Sequence, residues 1–514
     1  MALLLGLTVV LWLWRVRCIA AGPDPDGDAY GHFVIARQLL ETPLDLHIHW
    51  VWLPLHHLLL AAGISVGASL DHVRLANALL SALTPLLLGW GMWRAALRQT
   101  GLRQTGLPQT GLPQTGRRQA GLRSELASGT SPGLTELGVP LLAAALAALT
   151  PLSLMMGTTS QPEPTFAVLL LGAALLLGAR RWALAALLLS AMVLLRYEAW
   201  AAAASVAALL LLQRCWPTAA LLSGEGSATA PLTRGRLGCV CAPGLTVLGW
   251  AALRRLDGGG WFDFLRLNQR FAEDALSRMA RPSPWQELRE LAPHVPNAVW
   301  LLLALGLLGV PRLVRRTSVW FVLLPLAIAA FLCLGWLLRS HLGLSRHWVG
   351  LVPFAAAAVA QGCAQLAEGL QRIRQPWAGS IGLAALSLLV LVPAARELPA
   401  PLAGWRQHTA SAFPEQRDAA RFLRGLPESA ALWCDDAATE VLSQLPSERF
   451  VRKYLGQDAV AQLRQWHRSE EVVVLSQAER IREVLPFAEL LYGDPQGAGL
   501  IALRVRPGEL PARP

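Results

Sequence analysis

Long apolar stretches alternate along this chain with short loops rich in arginine or aspartate. A helix that crosses the hydrocarbon of a bilayer needs about 20 mostly apolar residues. Helices are required there because lipid offers backbone N–H and C=O groups no partner. The pattern predicts spans near 2–21, 73–97, 137–156, 164–179, 182–196, 199–213, 237–254, 296–311, 317–338, 348–370 and 377–395. The fold class that follows is a polytopic α-helical membrane protein of about 11 transmembrane helices. The stretch WVWLPLHHLLLAAG (50–63) is short and contains Pro54, His56 and His57, so it reads as an interfacial helix. The first apolar run, Ala2 to Trp14, has no basic residue before it and is followed by Arg15 and Arg17. That order reads as a retained first helix rather than a cleaved leader. Beyond residue 396 charged helical patterns alternate with the strand-like runs AALWC (430–434), EVVVLS (471–476) and LIALRV (500–505). A small α/β domain with its own modest core is expected over 396–514.

Composition agrees. Hydrophobic residues make up 54% of the chain and charged residues 15%, against about 25% charged in a soluble domain. The net charge of +11 is almost all arginine, and Lys453 is the only lysine, so no Schiff-base lysine operates in the apolar part. The arginine excess serves as an orientation signal rather than a nucleic-acid surface. With the amino terminus in the cytoplasm, Arg180-Arg181, the segment from Arg214 to Arg236, Arg312 to Arg316 and Arg372 with Arg374 all face the cytoplasm. The acidic segment 22–49, the turns at 161–164 and 196–198, the loop 255–295, the turn 339–347 and the tail then face outward. Arg254-Arg255 and the arginines of 339–346 break the rule, which points to a task there such as holding an anion.

The expected organisation is a transmembrane domain over 1–395, with a first external loop at 22–72, a cytoplasmic loop at 97–135 and an external loop at 255–295. Residues 97–121 repeat as the pentads LRQTG, LRQTG, LPQTG, LPQTG and RRQAG. No core can be built from them. The seven cysteines (Cys18, Cys215, Cys239, Cys241, Cys333, Cys363, Cys434) show no disulfide framework.

Chemistry concentrates at the outer ends of the spans. GPDPDGDAYGHFVIARQLLE (22–41) spaces Asp24, Asp26 and Asp28 by two, followed by Tyr30 and His32. Such a cluster is a solvated acidic loop, a site of alternating oxygen ligands for a cation, or a carboxylate whose partial desolvation raises its basicity for proton abstraction. Glu163 lies in SQPEPTF, Arg196, Tyr197 and Glu198 in LLRYEAW, and Arg339, His341, Arg346 and His347 in LRSHLGLSRHWVGLVPF. Charged side chains at such depths face a cavity or pair with one another. Carboxylates and arginines on one side of a membrane suit a phosphate-bearing substrate together with a group that must lose a proton.

The order of these pieces resembles the GT-C superfamily of membrane glycosyltransferases, which includes protein O-mannosyltransferases, lipid A aminoarabinose transferases and oligosaccharyltransferases. The resemblance covers roughly 1–395. Asp28, Tyr30, Ala36, Arg37, Leu39 and Leu40 fall where the family has its D-E-x-x-Y and A-R-x-L-L motifs, with Ala29 in place of the second acid. WVWLPLHHLLLAAG looks like the family's proline-bearing interfacial helix, and RLANALLSALTPLLLGW like its second span. SQPEPTFAVLLLGAALLL, LLRYEAW and SRHWVGLVPFAAAAVA resemble its S-E-P turn, R-Y-E turn and late R-Y-x-x-x-x-x-P span, with His347 where tyrosine is usual.

The resemblance implies a polyprenyl-phosphate-linked sugar donor and a lipid, glycan or protein acceptor at the outer face of the cytoplasmic membrane. Asp28, with Asp26 nearby, would be the base in an inverting attack. Arg196 and Arg346 would hold the leaving phosphate, with His56, His57, His347, Tyr197 and Glu163 around it. Some members hold a divalent metal near the first loop, for which Asp26, Asp28 and Glu163 can supply oxygens. The competing reading is a transporter or flippase. It expects ionisable residues at mid-bilayer on broken helices and an internal repeat, and neither is evident in the sequence. A catalytically inactive scaffold is the third.

Overall fold

The computed structural model of the 514-residue chain describes residues 2–104, 134–215, 233–278, 299–338, 345–373, 378–451, 471–481 and 488–506. Most of the pentads, Lys453, Arg339, His341 and the second half of the loop 255–295 lie outside the described residues.

Helices occupy each apolar stretch that the hydropathy pattern picks out: α1 (Ala2–Ile19), α2 (Gly27–Glu41), α3 (Pro54–Ser65), α4 (Leu70–Gln104), α5 (Leu134–Leu149), α6 (Pro151–Met156), α7 (Glu163–Gly178), α8 (Trp182–Val193), α9 (Glu198–Cys215), α10 (Arg234–Leu256), α11 (Asp263–Arg278), α12 (Val299–Arg316), α13 (Trp320–Leu337), α14 (Val352–Ile373) and α15 (Ala378–Glu397). Among the described residues, five helices are long and apolar enough to cross a bilayer: Leu70–Arg98, Arg234–Leu256, Trp320–Leu337, Arg346–Gln371 and the one beginning at Ala378. Gly138–Leu149, Glu163–Gly178 and Trp182–Val193 are apolar but shorter. The stretch expected to run unbroken over 137–156 is two helices, because Pro151 has no N–H to continue the first and opens the second. The proline-bearing stretch after Trp50 forms α3, with Pro54 at its start.

One extended core of alanine, leucine and aromatic side chains runs through these helices, from Leu88 on α4 to Val390 on α15. The outward faces keep exposed leucines such as Leu187, Leu245 and Leu388, which a lipid surround accepts. Small residues set the closest approach. Gly309 on α12 faces Gly362 on α14: a Cβ on Gly309 would overlap the Ala358 carbonyl, and one on Gly362 would overlap the Leu305 carbonyl. Backbone-to-backbone crossings of this kind are the membrane substitute for a hydrophobic drive between helices. Beside it, Arg312 Nε donates to Gln361 Oε1 at 2.8 Å and the guanidinium pairs with Glu368.

Two helices follow α15: α16 (Pro399–Ser411) and the strongly amphipathic α17 (Pro414–Arg424). Next comes a four-stranded sheet with β1 (Ala431–Cys434), β2 (Val472–Gln477), β3 (Glu489–Tyr492) and β4 (Leu500–Val505) in the order β1-β2-β4-β3. β1 and β2 are parallel, with Leu432 opposite Val473, and the other pairs are antiparallel. Both faces of β2 are covered: Val472 and Val474 join Trp433, Ile501 and Leu503 on one side, while Val473 and Leu475 join Leu432, Ala419 and Leu423 on the other. That explains its unbroken apolar run. The short helix α18 (Ala437–Ser443) packs on α2, where Ala438, Val441, Phe413, Tyr30 and Phe33 form one cluster. Asp436 caps α18, accepting from the Thr439 N–H at 2.7 Å.

Gly309→Ala forces α12 and α14 apart and is expected to cost at least about 1 kcal/mol of stability, read as a lower thermal unfolding midpoint in detergent. Gly369→Ala on the same α14, where nothing lies within 4 Å of the new methyl, is the control that leaves the midpoint in place.

Candidate active site

The loop after α1 is built by its three aspartates, each with a separate task. Asp24 is fully buried, accepting from the Ser160 N–H at 2.7 Å and the Asp26 N–H at 3.1 Å. Tyr30 donates its hydroxyl to the Asp24 carbonyl at 2.9 Å. Asp26 takes extended backbone angles and caps α2, its side chain accepting from the Asp28 N–H at 3.1 Å, as capping requires. Asp28 then stands in the first turn of α2, its side chain 43% exposed.

Arg74 braces this loop from α4. It is fully buried, with Nε on the Thr158 carbonyl, Nη1 on the Gly22 carbonyl and Nη1 on Asp71, all at 2.9 Å. Its Nε lies 3.9 Å from Asp24. Burial outweighs that cation and pushes the Asp24 carboxyl up to about 6.

Facing the loop is Arg346, on a 3-10 turn (Ser345–Leu351) that leads into α14. Its Nη1 meets Asp26 Oδ2 at 2.5 Å and its Nη2 meets Asp28 Oδ2 at 2.5 Å. The third edge, Nε, lies 3.6 Å from Glu163 Oε1. Glu163 opens α7 and is 2% exposed. It accepts from Arg196 Nη1 at 2.6 Å. Arg196 sits in the turn between α8 and α9, and Glu198 holds its other edge, with Nη2 at 2.7 Å and Nε at 3.2 Å. The result is a linked series of four carboxylates and two guanidiniums drawn from four separate segments. Burial raises the Asp26 carboxyl above its usual range although Arg346 opposes this, and Asp28 and Glu163 add to the rise. Against the cost of burial, Glu198 and then Glu163 push the Arg196 guanidinium further above its usual value.

The histidines go elsewhere. His32, His49, His56 and His57 are all buried. His57 touches two partners, with Nε2 2.8 Å from His32 Nδ1 and Nδ1 2.7 Å from His49 Nδ1. Trp52 lies against His32, and Trp250 sits edge-on to His49. Burial depresses every ring, with His49 held at about 3 and His56 at about 4. His32 and His57 are pushed well below their ordinary value for the same reason. Burial thus favours the neutral form of His56 and His57, and in the structure both lie against other rings. Tyr197 is also structural: its hydroxyl donates to the Val51 carbonyl at 2.7 Å, and its ring packs on Trp200 and Phe264. His347 is half-buried next to Arg346 in sequence.

Of the expected site residues, the structure brings together Asp26, Asp28, Glu163, Arg196 and Arg346. Glu198, adjacent in sequence, completes the series. Among the described residues no group of three or more His, Cys, Asp or Glu side chains is placed to hold a metal ion. The guanidinium of Arg346 takes Asp26 and Asp28, and Arg196 takes Glu163. As arranged, the residues expected as metal ligands do not fit one, and no step below is routed through a metal.

No protein-family model and no curated protein matches the chain. Solved structures do. ArnT from Cupriavidus metallidurans bound to undecaprenyl phosphate aligns over 100% of this chain and 99% of its own length, at 13% identity and a TM-score of 0.56. The apo form of the same protein aligns over the same shares at 14% identity and a TM-score of 0.57. The Archaeoglobus fulgidus oligosaccharyltransferase, tethered to an acceptor peptide containing the NVT sequon, covers 99% of this chain and 74% of that one, at 13% identity and a TM-score of 0.53. The chain shares the fold of these proteins over nearly its whole length, in keeping with the resemblance read from the motifs of roughly 1–395.

The neutral histidines tie stability to pH. Their folded pKa values lie below the ordinary 6.5, so their contribution is present above 6.5 and is lost as pH falls toward 4 and 3. Asp24, raised to about 6, acts in the opposite sense, favouring the folded state as pH falls. With four rings against that carboxyl, the unfolding midpoint in detergent is expected to drop between pH 6.5 and 4. His49→Gln is expected to shallow the drop, and an unchanged slope would remove His49 from the titrating set.

Proposed function

We propose that this chain transfers a glycosyl group from a polyprenyl-phosphate-linked donor to an acceptor at the outer face of the cytoplasmic membrane, with inversion. The observation that carries the reading is the pair of arginines, Arg196 and Arg346, held against Asp26, Asp28 and Glu163 at the ends of apolar helices. It stands on a fold shared with an ArnT crystallised with undecaprenyl phosphate. All eleven expected stretches are read as spans, with the amino terminus in the cytoplasm. The first loop, the end of α7, the α8–α9 turn and the 396–514 domain are read as external. That assignment sets the whole charge series on one side of the bilayer, where a lipid-borne phosphate meets an acceptor arriving from outside.

In the proposed step the acceptor's proton passes to the Asp28 carboxylate as its oxygen or nitrogen attacks the anomeric carbon. The bond from that carbon to the phosphate oxygen breaks, and the electron pair goes to the phosphate. A base must lie within hydrogen-bond reach of the proton it takes, and Asp28 is the most exposed of the four site carboxylates, at 43% against 16% for Asp26, 2% for Glu163 and 5% for Glu198. The charge that develops on the phosphate is met by fixed guanidiniums, whose planar fork suits two phosphate oxygens at once. Asp26 caps α2 and anchors Arg346. Glu163 and Glu198 orient Arg196.

The test uses purified protein in detergent and a panel of radiolabelled undecaprenyl-phosphate sugars. Asp28→Asn is expected to lower transfer at least about 100-fold while the protein stays folded. Asp26→Asn is expected to be milder, and the reverse ranking moves the base to Asp26. Absence of turnover with every donor, from folded wild-type protein, overturns the reading.

A further inference from the structure

Both arginines at the site already direct their Nη groups at carboxylates. Arg346 gives Nη1 to Asp26 and Nη2 to Asp28, while its buried Nε lies 3.6 Å from Glu163 and has no hydrogen-bond partner among the described residues. Arg196 gives Nη1 to Glu163 and Nη2 with Nε to Glu198. A phosphate held bidentately by the Nη1–Nη2 edge of Arg346 needs the N–H groups that the carboxylates now occupy. The carboxylate of Asp28, in turn, has Oδ2 held by Arg346. Asp28 and an incoming phosphate thus compete for one edge of Arg346.

The four contacts are not equally firm. Glu163 and Glu198 are 2% and 5% exposed at the side chain, and Asp26 is 16% exposed. Asp28 is 43% exposed. An ion pair open to water is weak, whereas removing one partner of a buried pair leaves an uncompensated charge. The contact between Arg346 and Asp28 is therefore the one an incoming anion can exchange at least cost, while Asp26 keeps Arg346 in place. The side chain of Arg346 is itself 16% exposed, which leaves the exchange open to solvent on the Asp28 side.

We infer that the lipid-borne phosphate displaces Asp28 from Arg346, and that this exchange is what readies Asp28 to take the acceptor's proton. This rests on the glycosyl-transfer reading above and adds an order of events to it: donor first, acceptor second. Until a phosphate has arrived, Asp28 keeps one oxygen on Arg346. No bond is made or broken in the exchange; one carboxylate–guanidinium contact is replaced by a phosphate–guanidinium contact.

Thermodynamic linkage gives the test. If phosphate and Asp28 compete for Arg346, removing the Asp28 charge strengthens phosphate binding even as it abolishes transfer. Binding of undecaprenyl phosphate is measured for wild type, Asp28→Asn, Arg346→Gln and the double variant, each checked for thermal unfolding. Asp28→Asn is expected to bind roughly tenfold tighter than wild type, and the gain is expected to vanish in the Arg346→Gln background. Should Arg346→Gln fail to fold, Arg346→Lys replaces it, since a point charge cannot bridge two carboxylates as the fork does. Wild-type binding with no gain in Asp28→Asn overturns the exchange and leaves the glycosyl-transfer reading standing. A gain that persists without Arg346 also overturns it, because the effect would then be repulsion through space. Failure of folded wild type to bind the lipid phosphate overturns the glycosyl-transfer reading and the exchange together.

Discussion

A guanidinium placed where water is scarce must be matched by carboxylates, and around Arg346 that requirement organises one end of the helix bundle. Asp26 and Asp28 come from the first loop, Glu163 from the start of α7, Arg196 and Glu198 from the turn between α8 and α9. None of these segments is close to another in sequence except the last two, so the charges act as clasps between helices that have no hydrophobic reason to choose one another in lipid. Breaking a buried pair on one side typically costs about 3–5 kcal/mol, comparable to much of a domain's net stability. The chemistry proposed for the site therefore uses groups that also hold the bundle's mouth together.

The three alternating aspartates show how closely spaced identical residues are given different work by their surroundings. Asp24 points inward to Ser160 and Arg74 and becomes part of the packing. Asp26 begins a helix and anchors a cation. Asp28 alone keeps access to solvent. The histidines divide in the same manner from the arginines. Rings packed against tryptophan lose their charge, whereas guanidinium, whose pKa is far higher, keeps its charge at similar burial by recruiting carboxylates.

Much of this was readable in advance because it is local. Hydropathy placed helices on the apolar stretches, although 137–156 broke in two at Pro151, and the strand-like runs near 431, 472 and 500 located three strands. β3 escaped because Glu489–Tyr492 is a short edge strand with two exposed positions, so it carries no buried run. Within the site, Asp26, Asp28, Glu163, Arg196 and Arg346 stood out as charges at the ends of apolar stretches. The partners of Arg74 did not. They lie as far away as Thr158, and the main contacts are to backbone carbonyls, which no side-chain pattern signals. Nor does the run HIHWVWLPLHH, read as an interfacial helix, signal that His57 meets both His32 and His49.

The contact of α2 with the segment near the sheet has a bearing on how such chains change over time. Tyr30 meets Phe413 edge-on at 5.3 Å, and Arg37 reaches the Leu445 carbonyl and lies 3.9 Å from Glu440. The helix that presents Asp28 is thus supported from behind by residues some four hundred positions away. A C-terminal portion borrowed from a distant relative would bring a different surface to that helix and tilt it, although nothing in the borrowed portion need touch a substrate. The two ends of the chain are bound to diverge in step, as the halves of a hinge must be cut to one another.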